Sequence, residues 1–289
     1  MEYNKNNPLK VVTLCSGYDS QCIALERLKS VYPEFDYELV AWSEFDPESK
    51  TQLDKQPAVV AHNALFPQWA DRNLGDMTKI DWTQVDDFDL LFYSTPCQSV
   101  SQAGLQHGFT EGSGTRSSII WNVRDAVKIK RPKFLCLENV KAMVSGKFVG
   151  MFNLWQLELE RLGYRNFAQV LNAKDYGVPQ NRERIFLVSI RVDSKNNMPK
   201  YYFPKPFPLE RKLKDVLEEH VDEKYYLSDK MIECFQHRTE VAIEKGNGFR
   251  FSPTNGGGCG KAITTLAGNR TDDNFIIDEQ EDIRTIPQS

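Results

Sequence analysis

Over the first two thirds of the chain, apolar residues fall in short runs rather than long stripes. Leu9–Leu14 (LKVVTL), Tyr37–Trp42 (YELVAW), Leu90–Tyr93 (LLFY) and Pro132–Leu137 (PKFLCL) each have the length and residue types of a buried strand. Between them, Cys22–Leu28, Ile119–Ile129 and Met151–Leu162 carry apolar residues at helical spacing, and the last runs into Gly163, a fitting helix end. Strands alternating with helices predict an open α/β sheet. Asn166–Asn172 and Arg184–Ile190 predict two further strands, paired with each other. From about Arg191 the pattern changes. Residues 194–208 contain four prolines and several lysines, which suits a linker. Beyond it, Leu209–Glu219 and Ile232–Ile243 predict short helices, and Gly246–Gly268 is rich in Gly, Ser, Thr and Asn. Two domains follow, 1–192 and 193–289.

Composition narrows the class without naming a function. With 289 residues, 40% hydrophobic and 26% charged, the chain matches an ordinary globular protein of one large and one smaller domain. No apolar stretch reaches the length of a membrane span, and the start MEYNKNNPLK is polar, so no signal peptide is expected. Cys15, Cys22, Cys97, Cys136, Cys234 and Cys259 lack C-x-x-C spacing, which argues against a zinc site or disulfide framework and fits a reducing cytoplasm. The net charge of -4 requires a nucleic-acid ligand to be met by locally concentrated basic residues.

Reactive residue types recur where strands stop. The Leu90–Tyr93 run ends at Ser94-Thr95-Pro96, and Cys97 follows the proline, so a stiff loop presents a thiol at a strand's carboxyl end, where open α/β sheets bind ligands. Cys97 is a candidate nucleophile; a small buried hydrophobe is the plainer alternative. The first strand leads into Cys15-Ser16-Gly17-Tyr18-Asp19, a glycine-bearing turn before a helix that suits a nucleotide or a purely structural turn. Glu44 follows the second strand and suits either a ribose hydroxyl or solvent. Asn73-Leu74-Gly75-Asp76-Met77 offers a turn whose aspartate can read an adenine amino group. His107–Ser118 is a Gly-rich polar loop, a candidate lid. Glu138-Asn139-Val140 ends another strand, and in Gln180-Asn181-Arg182-Glu183-Arg184 an extended backbone puts both arginines on one face, a pattern that an exposed hairpin decorated with charge shows more commonly.

Pro96-Cys97-Gln98, then Glu138-Asn139-Val140, then Gln180-x-Arg182-x-Arg184 closely resembles the cytosine-C5 DNA methyltransferase family in order and spacing, over residues 9 to about 190. The resemblance implies a Rossmann-like S-adenosylmethionine-dependent methyltransferase fold with a second, smaller DNA target-recognition domain. It implies double-stranded DNA as substrate, Cys97 as the thiolate that adds to C6 of a flipped cytosine, Glu138 acting on N3, and Arg184 on O2 with Arg182 supporting. For S-adenosylmethionine it implies Ser16 and Gly17 at the methionine end, Glu44 at the ribose, Asp76 and Met77 at the adenine, and Pro96 alongside. The loop from Ser99 to Ser118 would close over the base. The family fits a bacterial or phage origin.

Three departures stand out. Cys15 occupies a position where the family usually has an aromatic residue, and Asp19 one where it often has a second glycine. The family's final segment, with a Gly-Asn-Ser-Val-like helix, has no counterpart after Pro287. A second polypeptide completing that segment and a cognate restriction endonuclease are therefore the protein partners the resemblance raises. A zinc base deaminase also carries Pro-Cys, but it needs Pro-Cys-x-x-Cys and His-x-Glu, and both are absent. A catalytically inactive DNA- or cofactor-binding module, and a cytosine-C5 enzyme acting on tRNA, remain as alternatives.

Overall fold

The computed structural model describes residues 2–95, 116–194, 196–246, 248, 250–263, 270–278 and 280–286. Pro96, Cys97, Gln98 and the 99–115 part of the expected lid lie outside the described residues.

A six-stranded sheet forms the centre of the first unit, in the order β2-β1-β3-β4-β7-β5. Its strands are β1 (Leu9–Leu14), β2 (Tyr37–Ser43), β3 (Leu90–Tyr93), β4 (Phe134–Val140), β5 (Tyr164–Asn172) and β7 (Glu183–Arg191). β1 is parallel to both β2 and β3, and β3 is parallel to β4, whereas β7 runs antiparallel to β4. The uninterrupted apolar runs follow from burial on both faces. In β1, Val12 joins the core beneath α3 (Val123–Lys130) and α4 (Val149–Arg161). Its neighbour Val11 joins the core beneath α1 (Ser20–Val31) and α2 (Pro57–Leu65). Val11, Val12, Leu91, Leu135 and Leu187 are fully buried, and each such side chain stabilises the sheet by about 1.5–3 kcal/mol.

Some elements differ from the expected ones. β4 extends through Glu138-Asn139-Val140, because the antiparallel ladder with β7 continues to Val140 opposite Arg184, beyond the end of β3. The helix expected over Ile119–Ile129 is a 3-10 turn (Arg116–Asn122) followed by α3. Leu209–Glu219 yields only a 3-10 turn at Leu213–Val216, since Leu213 alone is buried there and one apolar anchor cannot sustain a helix. α4 closes as expected: Gly163 takes φ +90 and its N–H donates to Glu160 O at 2.9 Å.

Two compact units result, Met1–Val170 with Arg184–Phe203, and Leu171–Glu183 with Pro204–Ser289. The division thus differs from a single cut after residue 192. Residues 193–203 stay with the first unit, where Tyr201 packs on Phe167 at 5.9 Å and Arg165 donates to Pro199 O at 3.0 Å. Residues 171–183 belong to the second, where Tyr176 Oη donates to Pro204 O and the Phe207 N–H donates to Asp175 O. In that unit β6 (Gln180–Asn181) pairs in parallel with β8 (Gly260–Lys261), and β9 (Phe275–Ile277) pairs antiparallel with β10 (Ile283–Thr285). Its small core packs Phe235 of α5 (Asp229–Glu244) against Phe251 and Phe275 in tilted and edge-on contacts, ring centroids 4.8 to 5.5 Å apart. Among the described residues no helix is long and apolar enough to cross a membrane.

Asp19 anchors the turn between β1 and α1. It is fully buried at φ +63, a left-handed conformation that Asp tolerates better than most residues. Its carboxylate accepts from Cys22 N at 3.3 Å, capping α1, and from Thr13 Oγ1 at 2.8 Å. The His62 ring lies 3.6 Å away and stacks on Trp42. Asp19→Ala removes the cap and strands a buried hydroxyl, so denaturant unfolding should show a loss of roughly 2–4 kcal/mol. A loss below about 0.5 kcal/mol would show that the cap is replaceable.

Candidate active site

The carboxyl ends of β1, β2, β3 and β4 lie along one edge of the sheet, and most of the predicted residues gather there. At the β1 end, the Gly17 N–H donates to Glu44 Oε2 at 2.7 Å, joining the glycine turn to the residue that follows β2. Gly17 takes φ +58, and a side chain there would meet nothing within 4 Å, so the turn borders open space. Ser16 Oγ is buried with no hydrogen-bond partner among the described residues. An orphaned hydroxyl, an open glycine turn and a half-buried carboxylate together suit a polar ligand seated on the turn.

Burial lifts the Glu44 carboxyl above the ordinary glutamate value, against the Gly17 N–H, which favours the anion. Asn73 had no assigned role, yet its Oδ1 accepts from Glu44 N at 3.2 Å and Gly75 N at 2.9 Å, tying the two turns together. Burial raises the Asp76 carboxyl, but the Thr78 N–H and hydroxyl and the Lys79 ammonium outweigh it, leaving the group below the usual aspartate range. Met77 is buried and its Sδ accepts from Cys15 Sγ at 3.4 Å. Burial, then the Glu44 and Asp76 charges, push the Cys15 thiol up to about 12. A cavity of about 430 Å³ adjoins these turns through Asn73, Leu74 and Lys79, and none of the predicted cofactor residues lines it.

The β3 and β4 ends carry the second cluster. Tyr93 and Leu137 are in register, so the next residues, Ser94 and Glu138, face each other. Ser94 Oγ donates to Glu138 Oε2 at 2.9 Å, and Arg184 Nε, arriving on β7, lies 3.0 Å from Glu138 Oε1. Glu138 keeps 29% of its side chain exposed and Arg184 21%, so the pair is half-sunk at the edge rather than closed off. Asn139, on the opposite face of β4, is buried and its Nδ2 donates to Thr95 O at 2.9 Å, fixing the chain that leads to Pro96 and Cys97. Arg182 falls in the second unit, where its N–H donates to Asn172 Oδ1 at 3.0 Å. Ser94 carried no spacing signal, since its importance depends on the β3–β4 register.

A C-5 cytosine-specific DNA methylase model matches residues 9–286. The chain belongs to that family. Family and fold are those of S-adenosylmethionine-dependent methyltransferases. A Type II methyltransferase of Shigella sonnei, M.SsoII, is 32% identical over 86% of this chain and 60% of its own length. M2.ScrFI of Lactococcus lactis subsp. cremoris is 43% identical over 56% of this chain and 44% of its own length. The chain thus spans about half the length of the curated relatives it matches. Among solved structures, a Spodoptera frugiperda DNMT2 mutant superposes with a TM-score of 0.69 at 18% identity, covering 94% of this chain and 75% of that one. Dnmt2 of S. pombe gives a TM-score of 0.66 at 14% identity, covering 96% of this chain and 83% of that one. These two likenesses concern the fold.

Proposed function

We propose that this member of the family is a DNA (cytosine-5)-methyltransferase acting on a flipped cytosine in double-stranded DNA through a covalent Cys97–C6 adduct. The observation that carries the reading is the Ser94–Glu138–Arg184 cluster, set at the strand ends from which the chain leads into Pro96-Cys97. C5 of cytosine is a weak nucleophile, and addition of the Cys97 thiolate to C6 makes C5 enamine-like, dividing one hard step into easier ones. Glu138 hydrogen-bonds N3 and Arg184 binds O2, where the ring's negative charge builds. After methyl transfer a base removes the C5 proton and the Cys97 thiolate leaves, restoring the ring. Stacking in the duplex covers the ring faces from which C6 is attacked and C5 is methylated, so the base is reached by flipping. Arg182 supports Arg184. The second unit takes the role of target-recognition domain in the major groove. The relatives named Type II methyltransferases favour a restriction-modification setting with a cognate endonuclease as partner.

S-adenosylmethionine, when bound, supplies the electrophilic methyl group. Ser16 and Gly17 would receive its methionine end, Glu44 its ribose diol, Asp76 and Met77 its adenine, and Pro96 would lie beside it. The raised Glu44 carboxyl gives this a pH signature. Its folded-state pKa exceeds the unfolded one, so its stabilising contribution is full below the ordinary value of 4.5 and is lost as pH rises through the folded value. A diol donates to the anion, so cofactor affinity should strengthen over that same rise. Calorimetric titration should show the dissociation constant falling with pH in the wild type. Glu44→Gln should flatten the dependence and weaken binding by about tenfold or more. A pH-dependence identical in both proteins would remove Glu44 from the ribose site.

The overall test is expression in a methylation-free host, with 5-methylcytosine mapped across host and plasmid DNA and in host RNA. Methylation at one DNA sequence is the expected result. Methylation confined to RNA, or none, would overturn the reading.

A further inference from the structure

We propose that Ser94 is a positioning residue for Glu138, fixing the plane of its carboxyl group and following it through both protonation states. The inference rests on the assignment of Glu138 to N3 and adds a residue to which no role has been given. The two donors reach different oxygens, Arg184 Nε at Oε1 (3.0 Å) and Ser94 Oγ at Oε2 (2.9 Å). One donor holds one oxygen and leaves the group free to turn about its last bond; a second donor on the other oxygen fixes the plane.

The two partners are chemically unlike. A guanidinium carries charge and favours the carboxylate, whereas a neutral hydroxyl donates equally well to the carboxylate or to the acid's carbonyl oxygen. When Glu138 carries the proton that it shares with N3, that proton points at the base, and the Ser94 hydroxyl goes on donating to a remaining lone pair of the carboxyl group. No proton leaves Ser94 in this role. Its own position is fixed by the fold: the Ser94 N–H donates to Leu14 O at 3.1 Å on the neighbouring strand, and the next carbonyl, Thr95 O, accepts from the buried Asn139. Arg184 meets Glu138 at Oε1 through Nε, and Ser94 supplies the clamp on Oε2.

The test is steady-state methyl transfer by the full chain to DNA carrying its mapped target, comparing Ser94→Ala, Ser94→Thr and Glu138→Gln with wild type, with an unfolding midpoint for each. Ser94→Ala should lower kcat by about 10- to 100-fold, with KM for DNA and for S-adenosylmethionine within about threefold. Ser94→Thr, which keeps the hydroxyl, should recover kcat to within about threefold of wild type. An Ala variant with near wild-type kcat overturns the proposal, and so does a Thr variant as slow as Ala, which would mark the site as steric. Full activity of Glu138→Gln, or no methyl transfer by the wild type, overturns the underlying reading and the role of Ser94 with it. An inactive Glu138→Gln beside a fully active Ser94→Ala overturns the role of Ser94 alone.

Discussion

DNA carrying 5-fluorocytosine at the target is expected to form a complex with this chain that survives denaturant, and Cys97→Ser is expected to form none. Thiolate addition to C6 and methylation of C5 both proceed with fluorine at C5. The last step does not, because it requires loss of a proton from C5 and fluorine cannot leave as a cation, so the Cys97–C6 bond persists. Ordinary turnover of Cys97→Ser should fall by at least about 10⁴-fold, since a serine hydroxyl is scarcely ionised near neutral pH and the covalent route is lost as a unit. The other cysteines near the sheet offer no substitute. Burial pushes the Cys15 and Cys136 thiols up to about 12 and that of Cys22 higher still, so none supplies thiolate near neutral pH. Trapping by Cys97→Ser at the wild-type level, read on a denaturing gel, would take the nucleophile's role from Cys97.

How much of this could be read from the residues depended on how local the cause was. The Leu90–Tyr93 strand has the bounds expected of it, because a four-residue apolar run between Asp89 and Ser94 contains its own stop signals. The glycine turn and Glu44 were legible as separate features. That Glu44 accepts the Gly17 N–H follows from β1 and β2 lying side by side, and no spacing rule states that. The same holds for Glu138: its residue type and motif marked it, but its place within β4 rather than after it comes from the ladder with β7, formed about fifty residues downstream. Asp19 stood out only as a departure from a glycine. Its use as a buried cap on α1, with Thr13 and His62 around it, needs three elements at once. Of the two arginines, β7 brings Arg184 to Glu138, a contact that the ladder with β4 creates and that no spacing rule states.

Glu138→Gln should retain DNA and cofactor binding but lose methyl transfer by at least about 10²-fold, the scale of a general acid–base group. The glutamine amide matches the carboxyl in size, can accept from Arg184 through its oxygen and can donate to the Ser94 hydroxyl through its nitrogen, so the β4–β7 edge should keep its structure. It can donate a hydrogen bond to N3 but cannot deliver or withdraw a proton as the ring charge rises and falls, and the loss should therefore appear in kcat rather than in KM. Arg184→Ala removes the O2 contact and the charge 3.0 Å from Glu138 Oε1, and should cost a similar 10²–10³-fold. Because the two side chains touch, the double variant should be slowed by much less than the product of the single effects. Arg184→Lys should rescue poorly, since a compact ammonium cannot replace a planar fork serving a carboxylate and a carbonyl together. Rapid-quench measurement of the methyl-transfer step separates these outcomes from slow product release. Strict multiplicativity of the two losses would show that Glu138 and Arg184 act independently on the base, despite their contact in the free protein.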